Sequence, residues 1–325
     1  MPTQSPAKSS QAVQTMKAVR IHQYGGPHVL QYEDAPRPEP GAGELLIRVR
    51  AAGVNPIDWK IREGTMKSVI PYDLPMIPGW DMSGIVETAG TGATRLKKGD
   101  EVYSRPDVSR NGAYAEFIVV KESEVALKPK SVDFVQAAGI PLAGSTAWQA
   151  LFDLAGLKAG QKVLIHGASG GVGGFAVQFA KAKGAYVIGT ASKENVDYVR
   201  QLGADEVIDY RAQRFEEAAR DIDVVLDTIG GETQDRSWNV LKKGGALVSL
   251  TQPPSQEEAE RRHVRGLHQV TEPNAQELAQ IAELVDEGRV KVNVETVLPL
   301  SEARRAHELS QTGHQRGKIV LNILL

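Results

Sequence analysis

The residues with the clearest chemical use form a glycine-rich turn, HGASGGVGG, between an apolar run and a helix-like segment. In the spacing GxGxxG, Ala168 stands at the first glycine position, Gly170 at the second and Gly173 at the third. Small residues let this backbone turn sharply and approach a pyrophosphate, and a helix N-terminus then faces the phosphate charge. We therefore predict that a run of consecutive residues binds a dinucleotide: Gly167, Ala168, Ser169, Gly170, Gly171, Val172 and Gly173.

The context of the turn favours this reading over an ordinary glycine-rich loop. A strand is expected from Lys162 to His166 before it, and a helix from about Gly173 after it. The next strand ends roughly 20 residues farther on, where a carboxylate would bind the ribose 2′-hydroxyl of NAD. This chain has Ser192 and Lys193 there, and a cation suits a 2′-phosphate. We predict NADPH as the cofactor, although Lys193 could instead be a solvated residue at a helix start.

Two textures along the chain predict two domains. From residue 16 to about 128, short strands alternate with turns rich in Gly and Pro, which is typical of a mainly antiparallel β domain. After about residue 132, strands alternate with helices, which predicts βαβ units and a doubly wound parallel sheet. Ser145 or Thr146 is expected to cap one of these helices, and another is expected to end at Gly244. The fold class is α/β, and the last two strands are candidates for returning to the first domain.

Composition and charge exclude several classes of function. The 325 residues carry 38 Lys and Arg against 40 Asp and Glu, a net charge of −2. The chain therefore lacks the basic excess of a protein that binds nucleic acid or an anionic membrane. No segment offers the ~18 uninterrupted apolar residues of a membrane span. There is no Cys, which excludes disulfides, thiol catalysis and thiolate-bound metals and fits a cytoplasmic location.

A family resemblance rests on several segments in a fixed order: AAGVNPIDWKIREG, PMIPGWDMSGIV, NGAYAEF, AGSTAWQAL, DVVLDTIGG and RGKIVL. Together with the glycine-rich turn they resemble the medium-chain dehydrogenase/reductase superfamily, in particular its zinc-free quinone oxidoreductase branch. The resemblance implies a GroES-like, mainly antiparallel β catalytic domain at residues 16–138 and 288–325. It also implies a Rossmann domain that binds NADP at residues 139–287. Residues 1–15 are predicted to be a flexible lead.

The same resemblance shows which metal ligands are missing. Zinc-dependent members carry Cys where this chain has Asn55, and His-Glu where it has Trp80 and Asp81. Neither the catalytic zinc site nor a four-Cys structural site can be assembled from these residues. The seven His are scattered without a ligand spacing. We predict no bound metal, and hence a substrate that itself delocalises the charge left by hydride transfer.

A short cleft segment supplies the predicted catalytic residues, which the resemblance places beside the nicotinamide. Asn55 can hydrogen-bond the cofactor or the substrate without adding a charge. Asp58 can orient Asn55 or Lys60, and Lys60 can stabilise an oxyanion or donate a proton. Simpler roles compete for two of them: Asp58 could only stabilise a turn, and Lys60 could be a solvated cation.

Further cofactor contacts are predicted at Thr146, Tyr210, Thr228, Gly230, Thr251 and Arg316. Those at 228, 230 and 251 follow parallel strands, at the edge where such sheets bind ligands. The resemblance adds Thr146 as a cofactor contact and Tyr210 near the adenosine phosphate, although a plain helix cap and a generic strand-end tyrosine compete. Arg316 and Lys318 precede the last strand and are expected to reach a cofactor phosphate, unless they are ordinary charged turn residues.

We therefore predict an NADPH-dependent, zinc-independent reductase that transfers hydride to a quinone or to an α,β-unsaturated carbonyl compound, an enone or enal. Two alternatives stay open: an enoyl reductase that acts on acyl thioesters, and a nucleotide-binding protein with a structural or regulatory role. Relatives often dimerise through the edge of the Rossmann sheet, so a homodimer through residues 267–270 is expected.

Overall fold

The computed structural model describes residues 14–313 and 315–323. The predicted flexible lead, residues 1–15, lies outside the described residues except at its last two positions, and Thr15 already begins the first strand. Within the described part of the chain, no helix is long and apolar enough to cross a bilayer.

The N-terminal and C-terminal parts of the chain share one mostly antiparallel sheet. Its strands are β3 (Glu44–Val54), β4 (Met82–Ala89), β5 (Glu101–Ser104), β6 (Phe117–Lys121), β7 (Val125–Leu127), β14 (Val294–Pro299) and β15 (Lys318–Asn322). They follow the order β14-β15-β3-β4-β5-β7, with β6 also paired to β3. The last two strands thus return to the first sheet, because β15 pairs antiparallel with β3. A separate ribbon consists of β1 (Thr15–Ile21) and β2 (Leu30–Pro36).

The middle of the chain forms a parallel sheet. Its strands are β8 (Lys162–Ile165), β9 (Tyr186–Ala191), β10 (Glu206–Asp209), β11 (Ile222–Asp227), β12 (Leu241–Ser249) and β13 (Arg265–His268). The spatial order is β10-β9-β8-β11-β12-β13. Numbered from its own first strand this is 3-2-1-4-5-6, the order of a dinucleotide-binding Rossmann sheet. The predicted fold class, a GroES-like β domain plus a Rossmann domain, is confirmed.

Helices connect these strands and cover the parallel sheet. They are α1 (Pro56–Glu63), α2 (Phe134–Ala138), α3 (Pro141–Trp148), α4 (Gly171–Ala182), α5 (Val196–Gln201), α6 (Phe215–Ala218), α7 (Glu232–Ser237), α8 (Gln256–Arg262), α9 (Ala275–Asp286) and α10 (Ala303–Gln311). A π-helical segment, Gln149–Leu154, continues α3.

Three sequence-based boundaries are wrong, each for a local reason. The helix expected to reach Gly244 ends at Ser237, because the following residues pair with β11 as strand β12. The helix after the glycine-rich turn begins at Gly171, two residues before Gly173. Thr146 does not cap α3, because Pro141 already provides a fixed φ at the first helical position.

Each sheet has its own apolar core. Buried strand residues of the parallel sheet, such as Val163 and Ile165, pack with helix residues such as Phe179 and Ile281. A second cluster, which includes Ile47, Met82 and Leu321, fills the antiparallel sheet. The functional residues therefore lie where two independently packed bodies meet.

Candidate active site

The glycine-rich turn has the geometry of a phosphate cradle. Gly167 has φ +65°, a left-handed conformation that favours glycine, and a Cβ at Gly173 would lie 2.2 Å from the carbonyl oxygen of Gly167. A Cβ at Gly170 would meet only that same oxygen, at 3.4 Å. Packing within the protein therefore explains glycine at position 173 but not at 170. An open face at Gly170, just before the N-terminus of α4, fits the close approach of a pyrophosphate.

Residues at the carboxyl ends of β11 and β12 complete one wall of this cradle. The Thr228 hydroxyl donates to the carbonyl oxygen of His166 at 2.9 Å. It also lies 2.5 Å from the position that a Cβ on Gly167 would take. A Cβ on Gly230 would lie 2.4 Å from Oγ1 of Thr251. The structure thus brings Thr228, Gly230 and Thr251 together beside the turn.

The end of β9 carries a buried hydroxyl next to an exposed cation. Ser192 is buried and its Oγ accepts from Nδ2 of Asn195 at 3.0 Å. Lys193 is exposed and begins a 3-10 turn, Lys193–Asn195. Glu194, the carboxylate nearest to this site in sequence, forms an ion pair with Arg211 at 3.7 Å. The acid that would repel a 2′-phosphate is thereby opposed by a cation.

Arg211 is a candidate that sequence reasoning missed. Its guanidinium lies 5.6 Å from the ring centre of Tyr210, whose side chain is exposed at the end of β10. The signal that could have found it is its position immediately after the predicted Tyr210. Arg211, Tyr210 and Lys193 place two cations and an aromatic ring at the ends of adjacent parallel strands.

The turn before β15 touches the glycine-rich turn through its backbone. The N–H of Gly317 donates to the carbonyl oxygen of Ser169 at 3.1 Å. Arg316, which is exposed, lies over the ring of Tyr198 at 5.4 Å. The prediction that Arg316 lies near the phosphate turn thus agrees with its backbone position.

Lys318, by contrast, does not point to solvent as a phosphate ligand at a surface turn. Its ammonium is buried and donates to Oδ1 of Asn55, to Oδ2 of Asp81 at 3.3 Å and to the carbonyl oxygen of Val54 at 3.4 Å. Only its aliphatic stem approaches the cradle, near Gly171. The expected phosphate contact is replaced by a buried ion pair, because the first position of β15 faces inward.

Asn55, Asp81 and Lys318 form one buried polar cluster. Nδ2 of Asn55 donates to Oδ2 of Asp81 at 3.0 Å, and the N–H of Leu142 donates to the other carboxylate oxygen at 3.2 Å. Burial raises the pKa of Asp81, and the charge of Lys318 and the hydrogen bonds oppose that rise. Where zinc-dependent relatives would hold a metal, this chain thus has a neutral amide and a compensated carboxylate.

Asp58 is buried one turn farther along α1. Its Oδ2 accepts from the N–H of Asn55 at 2.8 Å, as in a helix capping box, and from the hydroxyl of Tyr114 at 2.9 Å. Burial raises the pKa of Asp58 to about 7, against the lowering effect of those two bonds. The carboxyl is therefore close to half protonated at neutral pH. The simpler helix-capping role is observed, and it leaves Oδ1 unused.

A chain of buried groups that sequence reasoning missed continues from Asp58. Nε2 of His307 lies 3.3 Å from the Tyr114 hydroxyl, and Nη1 of Arg62 donates to Nδ1 of His307 at 3.2 Å. Since Nδ1 accepts, the proton of the neutral imidazole lies on Nε2. Burial and the charge of Arg62 lower the pKa of His307 to about 3, so it stays neutral. No local motif connects these residues, because they come from α1, a loop and α10.

Lys60 does not join the Asn55 cluster. It is half-buried, and its ammonium lies 5.7 Å from the ring centre of the adjacent Trp59. Its carbonyl oxygen accepts from the Thr65 hydroxyl at 2.9 Å. Asn55 and Asp58 are thus brought together, whereas Lys60 lies apart as a cation over an aromatic face.

Thr146 lies inside α3, where its hydroxyl donates to the carbonyl oxygen of Leu142 at 2.7 Å. The same hydroxyl is hydrogen-bonded to Oγ1 of Thr271 at 2.8 Å. It therefore links α3 to the loop after β13. Among the described residues, no group of three His, Asp or Glu is arranged to hold a metal ion.

Comparisons with known proteins agree with this architecture. Residues 41–130 match the family "Alcohol dehydrogenase GroES-like domain", and residues 202–321 match "Zinc-binding dehydrogenase". The chain is 38% identical over 322 residues to the NADPH-dependent alkenal/one oxidoreductase of Arabidopsis thaliana chloroplasts, covering 94% of this chain and 79% of the relative.

Two further similarities extend over nearly the whole chain. A chloroplast envelope quinone oxidoreductase homolog of Arabidopsis thaliana is 34% identical, with 94% of this chain and 98% of the relative covered. The structure of a quinone oxidoreductase from Coxiella burnetii is similar with a TM-score of 0.89 and 37% identity, covering 95% of this chain and all of the other. With Asn55, Trp80 and Asp81 at the zinc-ligand positions, the chain belongs to the medium-chain dehydrogenase/reductase superfamily as a zinc-free, quinone oxidoreductase-like oxidoreductase.

Proposed function

We propose that this oxidoreductase uses NADPH to reduce quinones or α,β-unsaturated carbonyl compounds without a metal. The observation that carries the proposal is the buried Asn55–Asp81–Lys318 cluster, which fills the place of a zinc site with a bonded amide and an ion pair. When bound, NADPH supplies a hydride. Without a Lewis acid, the acceptor itself has to delocalise the resulting negative charge, as a conjugated carbonyl or a quinone does.

The protein's own residues are assigned to binding and positioning. Gly170 and the N-terminus of α4 hold the pyrophosphate, and Thr228 lies on the wall beside it. Asn55 keeps a fixed orientation, because Lys318 and Asp81 engage its carbonyl and its amide nitrogen. The second N–H of that amide is then the one that can face cofactor or substrate.

The preference for NADPH over NADH rests on charge at the ends of β9 and β10. Ser192 supplies a hydroxyl, Lys193 an exposed ammonium, and Arg211 both opposes Glu194 and adds a second cation. A carboxylate suited to a ribose 2′-hydroxyl is absent from the strand end itself, VIGTAS. The name of the alkenal/one relative, which is NADPH-dependent, supports the same choice.

Oxidation of NADPH with three substrate panels tests the function: quinones, enals and enones, and a crotonyl thioester. We expect turnover with the first or second panel. Turnover with the thioester alone would assign an enoyl reductase, and NADPH binding without any turnover would assign a non-catalytic role. Prolonged chelation should leave the rate unchanged; a loss that zinc restores contradicts the metal-free mechanism.

A homodimer and a cytoplasmic location belong to the same proposal. β13 forms an edge of the parallel sheet, and Val270 just beyond it is 67% exposed, which suits pairing with a second copy. Light scattering checks this, and a monomeric mass at micromolar concentration contradicts it. The absence of Cys suits a reducing compartment, and fractionation of cells that express the chain tests the location.

A further inference from the structure

Four buried polar atoms near α1 and the end of β5 contact no hydrogen-bond partner within the described residues. They are Oδ1 of Asp58, Nε1 of Trp59, the hydroxyl oxygen of Tyr72 and Nε of Arg105. Three of them carry a hydrogen to donate. Buried donors without a partner are rare, because each has lost its bonds to water without replacement. Several such donors in one region indicate that a ligand with acceptor oxygens completes the site.

Tyr72 lies at the centre of this group. Its ring packs against Trp80, with ring centres 6.0 Å apart, and Trp80 stands at a zinc-ligand position of the metal-dependent relatives. Burial raises the pKa of the Tyr72 hydroxyl; the charge of Asp58 raises it further, and the charge of Arg105 lowers it. The hydroxyl is therefore protonated at neutral pH and lies within electrostatic range of both side chains.

Arg105 approaches the same place from the end of β5 and is only 6% exposed. Its Nη2 donates to the carbonyl oxygen of Thr271 at 2.8 Å. The hydroxyl of that threonine is bonded to Thr146, the predicted cofactor contact on α3. The guanidinium is thus anchored against the Rossmann domain, while its Nε–H has no partner within the described residues.

We propose that the Tyr72 hydroxyl and the Nε–H of Arg105 are the pair of donors that holds the substrate oxygen on which negative charge develops. This inference rests on the proposed function and names the groups that replace the metal. The substrate's carbonyl oxygen accepts both hydrogen bonds. Both bonds strengthen as a hydride adds to the conjugated system and the displaced electron pair moves onto that oxygen. Tyr72 and Arg105 remain protonated throughout.

Steady-state kinetics of Tyr72→Phe test the proposal, with Tyr24→Phe as the matched control from the same apolar cluster. We expect Tyr72→Phe to lower kcat for a quinone or enal by about 10²-fold, the usual effect of removing one oxyanion donor. The KM for NADPH and the melting temperature should not change. Tyr24→Phe should match the unmodified protein. Arg105→Lys, which keeps the charge but removes the Nε–H, should lower kcat in the same way and keeps the idea testable if Tyr72→Phe does not fold.

A binding measurement separates this inference from the proposed function. We use 4-nitrophenol, whose colour distinguishes phenol from phenolate, as a stand-in for the developing oxyanion in the presence of NADP⁺. The unmodified protein should bind it as phenolate, and each variant should bind it about tenfold or more weakly, as for one lost hydrogen bond to a charged group.

Each outcome has a defined meaning. If the protein turns over no substrate but binds nitrophenolate through Tyr72, the proposed function fails and the donor pair stands. If turnover occurs and neither kcat nor nitrophenolate affinity changes in Tyr72→Phe or Arg105→Lys, the donor pair is refuted and the function stands. Equal losses of kcat, NADPH affinity and melting temperature in both variants would show a purely structural role and also refute the pair.

Discussion

Replacing Lys318 with methionine removes the ammonium that lies against a fully buried carboxylate. Asp81 is 0% exposed and would keep only two neutral donors, the amide of Asn55 and the N–H of Leu142. Methionine is about as long as the lysine stem, so packing against Gly171 is largely retained. Breaking a buried ion pair by removing one partner costs about 3–5 kcal/mol, so we expect the free energy of unfolding to fall by that amount.

The double variant Asp81→Asn/Lys318→Met removes both charges and should recover most of that loss. Urea unfolding of the cofactor-free protein, followed by circular dichroism, measures all variants. Lys17→Met, which breaks the exposed pair with Asp34 at 3.0 Å, is the matched control and should change stability little. A loss below about 1 kcal/mol in Lys318→Met, or a double variant no more stable than the single one, refutes the reasoning.

The pH dependence of Lys318→Met has a defined sign. Burial already raises the pKa of Asp81, and Lys318 opposes that rise, so removing the ammonium raises the pKa further. At acid pH the buried carboxyl then takes up a proton and the loss of stability is small. As the pH rises, the carboxyl has to ionise without its cation, so the loss should grow.

Three further predictions concern the cofactor site and one surface ion pair. Lys193→Glu should weaken NADPH binding about 10- to 100-fold in a fluorescence titration and change NADH binding little, because it reverses a charge at the 2′-phosphate; an unchanged preference would shift that role to neighbouring cations. Gly170→Ala should lose NADPH affinity but keep its melting temperature. Gly173→Ala should lose both, because its Cβ would lie 2.2 Å from a backbone carbonyl oxygen. Hydrogen bonds from Arg236 lower the pKa of Glu216 to about 2, so this pair adds stability above the ordinary glutamate pKa and loses it as the pH falls toward 2. Arg236→Met should therefore raise the pH midpoint of acid unfolding, and an unmoved midpoint would contradict this.

The fold and the cofactor turn could be predicted because their signals are local. Ala168, Gly170 and Gly173 lie within a few residues, so spacing alone identified the turn. Alternation of strands and helices likewise identified the parallel sheet. The helix expected to reach Gly244 failed because Leu241 and its neighbours have helix-forming side chains but pair with β11, a contact that local propensity does not contain.

The chemistry of the cleft was harder to predict because its residues come from distant segments. Asn55 was selected correctly, but its partners Asp81 and Lys318 lie 26 and 263 positions away. Lys318 looked like a surface turn residue because it follows Gly317, yet the inward register of β15 buries it. Tyr72 and Arg105 lie in segments without regular structure, and only burial without hydrogen-bond partners distinguishes them.

The pairing of β15 with β3 sets the order in which the protein can be completed on the ribosome. Residues 51–54 of β3 pair with residues 319–322, so this half of β3 stays an unpaired edge until nearly the whole chain has been made. The Rossmann strands lie between these segments and can form their sheet before that time. An apolar edge that waits so long is a template for pairing with other chains. Ribosome stalling or truncation shortly before Lys318 should therefore yield chains with a folded nucleotide domain that aggregate through β3.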